Sequence, residues 1–476
     1  MKAWLKRILI AICILLLVVV IGAGWYLSNT LPIGTGHVAK TLCSNVFISK
    51  RNPAAVFKED IAPVHFLFAI TRYEVDQKEK SVTSTAYGFF GTKAIFREGC
   101  GCTVVNGITE AELRGQTFMN VELQAADQKS KADQPWPAGD WLSGQQLPAG
   151  IDSQRLNLAL DNAFAEPGPE KPRKTRAVVV IYDGRLIAER YAPGFHDAQP
   201  LLGWSMSKSV TNALVGVLVK KGKLDLQQPA PVPEWQNDDD PRRGITLDQL
   251  MRMSGGLEFN EAYAPFSDAV NMFYDSYDFA AYAAQKPLEA NPDTKFHYSS
   301  GTANIIARIV RQAAEADYRN YYTFIYRELF AKIGMHSAKF EPDPSGTFVG
   351  SSYVFAGARD WARFGLLYLQ DGVWQGERLL PEGWVKYTTT PTPPAPLGEY
   401  GAMFWLNAGS ASNPQNRRWP SVPADAYWAS GFQEQRVIII PSRKLVLVRL
   451  GNCSYQDAWD DEQFITGVLA ALPETG

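Results

Sequence analysis

Ser205-Met206-Ser207-Lys208 sets a hydroxyl and an amine three residues apart, and the chain holds no second S-x-x-K. A serine hydroxyl is a weak nucleophile until a neighbouring base takes its proton. Lysine serves as that base when desolvation or nearby positive charge leaves it neutral. Spaced by three on a helix, Lys208 shares a face with Ser205, one turn above it. Two further segments carry groups that such chemistry uses. Tyr298 stands just before a helix start in the turn Tyr298-Ser299-Ser300-Gly301, where a phenol can relay a proton to a leaving group. Trp428-Ala429-Ser430-Gly431-Phe432 is a small-residue turn leading into an apolar strand, and a backbone N–H there can supply half of an oxyanion hole.

The elements that must position these groups are written in the flanking periodicity. Val210, Ala213, Leu214, Val217 and Leu218 recur at helical spacing after the S-x-x-K, and Lys220, Lys221 and Gly222 close that helix. An apolar helix, Ile305 to Val310, follows the Tyr298 turn. Upstream, Ile151–Phe164 reads as a helix. Ala177–Tyr182, Asp183-Gly184 and Leu186–Ala188 then read as a hairpin. Near the far end Arg436–Ile440, Pro441–Lys444 and Leu445–Leu450 form a second hairpin, followed by a closing helix from about Asp460 to Leu472. Strands at both ends with helices between them predict one α+β domain whose termini meet in a shared antiparallel sheet.

In their order along the chain these segments resemble the penicillin-recognising serine hydrolases. That family includes class C β-lactamases, DD-peptidases, related esterases and the 6-aminohexanoate-dimer hydrolases. The resemblance spans roughly Ile151 to Leu472, and Met251-Arg252-Met253-Ser254-Gly255-Gly256 resembles the L-L-x-M-x-S-G stretch between the first two motifs. It implies a β-lactamase-like antiparallel sheet flanked by helices. It implies Ser205 as the acylated nucleophile, Lys208 as its base and Tyr298 as partner in proton transfer. The N–H groups of Ser205 and Phe432 would form the oxyanion hole, and Ser300, Ser430 and Gly431 would meet substrate, joined by Tyr263 from the aromatic loop that can wall the cleft. The implied mechanism is double displacement through an acyl-enzyme, with no cofactor and no metal. Two departures shift the expected substrate. Ser300 stands where β-lactamases keep Asn, and Ala429-Ser430 replaces the cation-Thr pair that holds a penicillin's carboxylate. An ester or linear amide is expected instead, closest to the 6-aminohexanoate-dimer hydrolases.

The rest of the chain sets the context. It has 476 residues, 46% hydrophobic and 20% charged, with a net charge of −2. That balance supports a sizeable core and argues against a nucleic-acid partner. The five His show no HxH or HExxH spacing, and the five Cys form no CxxC pair. Ile8 to Leu27 is uncharged and follows Lys2, Lys6 and Arg7. As a helix it spans a ~30 Å hydrocarbon core, and the positive-inside rule would export everything after it. The chain is therefore expected to be a single-pass membrane protein, in contact with lipid through residues 8–27, with its catalytic part on the periplasmic or extracellular side. A cleaved signal peptide is the rival, with Gly22-Ala23-Gly24 as small residues near its end. Export would let Cys43 bridge Cys100 or Cys102, or leave buried free thiols.

Four segments are expected: 1–30 as stub and anchor, 31–124 as a small strand-leaning unit, 125–150 as a Pro/Gly-rich linker, and 151–476 as the hydrolase. Within the second, Gly91-Thr92 reads as the turn of a hairpin. The aromatic loop Glu258–Tyr282 can wall a cleft. Two rivals remain. Gly203-Trp204-Ser205-Met206-Ser207 nearly makes an α/β-hydrolase elbow, but no His follows His336 to complete its triad. A catalytically dead cell-wall or peptide binder is the other, against which stand the intact Ser205, Lys208 and Tyr298.

Overall fold

The computed structural model describes residues 2–116, 134–142, 147–316, 321–453 and 458–474. Its centre is a six-stranded antiparallel sheet assembled from the two ends of the region 151–476. In chain order the strands are β5 (Thr175–Tyr182), β6 (Arg185–Tyr191), β7 (Trp405–Leu406), β8 (Tyr427–Gly431), β9 (Gln435–Ile440) and β10 (Leu445–Gly451). Across the sheet they run β7-β8-β9-β10-β5-β6, so the two hairpins meet at β10 and β5, as their sequences predict. Asp183 and Gly184, at φ +48° and +77°, make the tight turn between β5 and β6.

Side-chain alternation divides the sheet's two faces between two cores. Val179, Ile181, Val437, Ile439, Val446 and Val448 face the larger one. It also takes in α3 (Met206–Lys220), α4 (Asp268–Asp275), α5 (Ser300–Glu315) and α6 (Ala358–Leu369). Val178, Val180, Ile438, Ile440, Leu445 and Leu447 face the other, against α2 (Ser153–Phe164) and α7 (Asp461–Leu469). Helices thus cover both faces of one sheet.

Ahead of this lies α1 (Lys2–Phe47) and a four-stranded antiparallel sheet of β1 (Thr71–Asp76), β2 (Ser81–Ala86), β3 (Phe90–Arg97) and β4 (Gly101–Val104). Here the expectations need correction. Residues 31–47, read as the start of a strand-leaning unit, continue the N-terminal helix through Pro32. Pro32, Gly34 and Gly36 weaken the local helix signal. The buried side of this stretch, with Val38, Leu42 and Val46, packs on the sheet and sustains the helix. Gly91-Thr92 is not a turn. Gly91 pairs with Thr85 inside the ladder and Thr92 Oγ1 meets Thr35 Oγ1 at 2.8 Å. The turn falls at Tyr87-Gly88-Phe89, where Tyr87 and Gly88 take φ +53° and +76°.

Cys43 is bridged to Cys102, and Cys100 is free and buried. A buried cluster ties this unit to the larger region that follows it. Glu341 accepts from Lys40 Nζ, from Ser44 Oγ at 2.8 Å and from the Cys102 N–H. Most of the expected linker lies outside the described residues. Its part 134–142 is packed in place: Trp136 is buried, and Arg363 donates to Pro137 O at 2.9 Å and Gly139 O at 2.8 Å.

Candidate active site

The nucleophile candidate sits on a constrained turn at the start of α3. Trp204 adopts φ +48°, a left-handed conformation that an aromatic residue holds only when its surroundings impose it. Its neighbour is fixed on both sides. Gly203 N–H donates to Val354 O at 2.8 Å, and a Cβ at Gly203 would lie 2.4 Å from the Trp361 ring. The Trp204 indole donates to Gln433 Oε1 at 3.3 Å. Ser205 then caps α3, and Lys208 rises one turn above it, as the spacing predicts.

Lys208 is buried, with 1% of its surface exposed. Its Nζ lies 3.1 Å from Ser205 Oγ, 3.1 Å from Ser300 Oγ and 3.2 Å from Ser351 O. The Tyr298 ring stands over it, with the centroid 4.6 Å away. A buried amine needs its hydrogen bonds filled, and here three partners fill them. Two are hydroxyls: that of Ser205 can donate to the amine as well as accept from it, whereas that of Ser300 donates to Glu261. Tyr298 is half-buried and packed by the Trp405 ring at 5.3 Å and the Tyr400 ring at 5.8 Å. The Met251–Gly256 stretch braces its loop, since Met253 O accepts from the His297 N–H at 2.9 Å.

Ser300 departs from expectation. Read as a substrate contact, it is fully buried, and its hydroxyl bridges Lys208 to the Glu261 carboxylate. Glu261 also accepts the Ser300 N–H at 2.7 Å, at the start of α5, where the helix dipole favours an anion. Neither Glu261 nor the Ser351 carbonyl was marked by the sequence. Glu261 lies in the aromatic loop after α3, and only its acid type inside that loop offered a signal. A carbonyl offers none.

The β8 end supplies the opposite wall. A Cβ on Gly431 would fall 2.1 Å from Gly203 O, so glycine there lets the strand close onto the nucleophile's turn. Among the described residues, the N–H groups of Ser205 and Phe432 donate to no protein acceptor. The half-exposed Phe432 ring packs against Trp204 at 5.6 Å and Tyr263 at 5.4 Å. Ser430, also read as a substrate contact, instead has its hydroxyl taken by Arg436 Nη1 at 2.9 Å. Arg436 brings a cation one strand away from Ala429. Its charge is answered by Glu434 and by Asp461 at 3.1 Å, so it is not free to meet a substrate carboxylate.

The family model for beta-lactamases matches residues 160–470, the stretch that holds this whole arrangement. The chain belongs to the beta-lactamase family. Among curated relatives, the 6-aminohexanoate-dimer hydrolase of Paenarthrobacter ureafaciens is 26% identical over 268 residues. That match covers 50% of this chain and 66% of the relative, just under two thirds of its length. Two solved structures share the fold of this beta-lactamase family member. A Bacillus anthracis protein provisionally named a 6-aminohexanoate-dimer hydrolase superposes with a TM-score of 0.53 at 22% identity, covering 71% of this chain and 89% of its own. A family VIII carboxylesterase does so with a TM-score of 0.52 at 14% identity, covering 69% and 99%. The family is one of serine hydrolases that act on amides or esters.

Proposed function

We propose that this protein is a membrane-anchored serine hydrolase that cleaves an ester or linear amide through an acyl-enzyme on Ser205. The observation that carries the reading is the buried Lys208 amine 3.1 Å from Ser205 Oγ. Neutral Lys208 takes the hydroxyl proton as Oγ bonds to the substrate carbonyl carbon, while the Ser205 and Phe432 N–H groups hold the oxyanion. The C–O or C–N bond then breaks, and the proton passes by way of Tyr298 to the departing alcohol or amine. Water, deprotonated by the same pair, attacks the acyl carbon. The C–Oγ bond breaks, the acid leaves and Ser205 regains its proton. Arg436, neutralised by two carboxylates, leaves no anchor for a penicillin carboxylate, which favours linear substrates. The 6-aminohexanoate-dimer relative is named for a substrate of that kind.

Anchoring rests on α1. Residues 4–26 are exposed and dominated by apolar side chains, a helix long and apolar enough to cross a membrane. Lys6 and Arg7 lie at the cytoplasmic end and the hydrolase beyond the far side. The experiment is a substrate screen on the full chain in detergent: a short p-nitrophenyl ester, the linear 6-aminohexanoate dimer and a chromogenic cephalosporin. The ester or the amide is expected to exceed the cephalosporin at least ~10-fold in kcat/KM, with Lys208→Ala lowering it by ~10³ or more. A cephalosporin as best substrate, or an unimpaired Lys208→Ala, would overturn the proposal.

A further inference from the structure

A groove runs from the outer end of the apolar helix to the turn that carries Ser205. It contains about 1050 Å³ of space, part of it open to solvent. One wall is α1 at Leu31, Ile33 and Gly34; the others are the 64–71 segment and residues 264–274. Trp204, Tyr263 and Phe432 close its inner end. These rings belong equally to the candidate active site: Trp204 precedes the nucleophile and Phe432 carries the second oxyanion N–H. None of the lining residues is an Asp, Glu, Lys or Arg. His37, on the α1 wall, is held neutral, its pKa pushed down to about 4 by burial.

The outer end opens where the chain leaves the exposed apolar part of α1. Trp25 stacks on Phe266 at 5.6 Å, and Tyr26 meets the same ring at 5.6 Å. A second pair of aromatics stands at the same end. Phe96 packs on Phe47, and Thr92 bonds Thr35, so β3 followed backward leads toward the N-terminal part of α1. Its turn carries Tyr87 and Phe89, 62% and 87% exposed. Tryptophan and tyrosine at the end of a spanning helix, here Trp25, Tyr26 and Tyr87, mark a bilayer's polar–apolar boundary.

We propose that this groove receives the acyl chain of a lipid-borne substrate from the bilayer, so that the enzyme cleaves long-chain esters or amides at Ser205. The inference rests on the hydrolase and anchor readings above. It commits to an occupant because the groove is uncharged, ends at the nucleophile and starts at the membrane boundary. From Tyr26 to His37 the helix rises ~16 Å. At ~1.3 Å of advance per methylene, that length takes a chain of about twelve carbons. Each methylene so buried can raise kcat/KM up to ~4-fold.

Gly34 gives the test. A Cβ there would meet only Phe68, at an ordinary 3.7 Å, and a larger residue is a better helix former than glycine, so Gly34→Phe fills the groove within an intact helix. With p-nitrophenyl butyrate and decanoate, wild type is expected to favour decanoate, and Gly34→Phe to cut the decanoate-to-butyrate ratio of kcat/KM at least ~10-fold. An unchanged ratio overturns the groove. Binding separates this from failure of the hydrolase reading. The Ser205→Ala protein is expected to bind the fluorescent fatty acid cis-parinaric acid, and Ser205→Ala/Gly34→Phe to bind it at least ~10-fold more weakly, whether or not any ester is cleaved. Equal binding counts against the proposal. For the bilayer as source, a long-chain umbelliferyl ester in the same phosphatidylcholine vesicles as the full chain should turn over faster than the ester in separate vesicles. Equal rates would mean delivery through water.

Discussion

Lys208 has no water-exposed route for its charge, so its three neighbours decide what it can do. Ser300 is the one that connects it to a carboxylate, the place of a positioning residue. Ser300→Ala removes one bond to a charged or potentially charged amine, worth ~1.5–3 kcal/mol, and so should lower kcat about 10- to 100-fold with KM little changed. Glu261→Gln should shift the pH profile of kcat, because it replaces the carboxyl group that holds the Ser300 hydroxyl against Lys208; a profile unmoved by both variants would deny them that role. The Ser205–Lys208 pair was legible in the sequence because both residues lie within one helical turn, where spacing alone sets the geometry. Glu261 reaches Ser300 across 39 residues, and no periodicity encodes such a contact. Ser300 and Ser430 were found at the right motifs, but their burial and their partners on other elements could not be read from the chain.

At the scale of elements, the distance between α3 and β8 would set the proposed oxyanion hole. Gly203 and Gly431 are what let them touch. Gly431→Ala forces a Cβ into Gly203 O and should move the Phe432 N–H off target, costing ~10²–10³ in kcat. Far-ultraviolet circular dichroism should stay close to wild type, and a wild-type kcat would show that the strand end is not part of the site. A second element-level test concerns Asp343, which holds the loop beside α4 through Phe279 N–H at 3.0 Å and Ser345 Oγ at 2.7 Å. Burial pushes its carboxyl up to about 7, against the lowering from Ser345. The unfolded chain ionises this group near ~4. Stability is therefore fully present below that pH, falls as pH rises toward 7, and then levels. Asp343→Asn should flatten the fall by up to ~4 kcal/mol in denaturant titrations at pH 4.5, 6 and 7.5; an identical slope would contradict the assignment. The central sheet was legible because its strands alternate or run apolar and its turns carry Asp-Gly and Pro-Ser signals. The continuation of α1 past Pro32 was not, because tertiary packing outweighs the local cost of proline and glycine.

For the molecule as a whole, the N-terminal unit is fastened to the hydrolase region rather than strung from it. The Glu341 cluster does this without exposure, and burial raises the Glu341 pKa and lowers that of Lys40. The Cys43–Cys102 bridge closes 59 residues between α1 and β4. Cys43→Ser/Cys102→Ser should lose roughly 4 kcal/mol in urea unfolding, and an unchanged midpoint would mean that the packed unit holds without it. That fastening keeps the groove walls on α1 in register with the turn of Ser205, as the proposed delivery of an acyl chain from the bilayer requires. All of this depends on Ser205 becoming acylated. The most direct measurement is peptide-mapped mass spectrometry of the full chain after a fluorophosphonate probe. The expected result is one adduct, on Ser205, absent from Ser205→Ala and strongly slowed in Lys208→Ala. An adduct on another residue, or an unlabelled wild-type protein, would contradict the account.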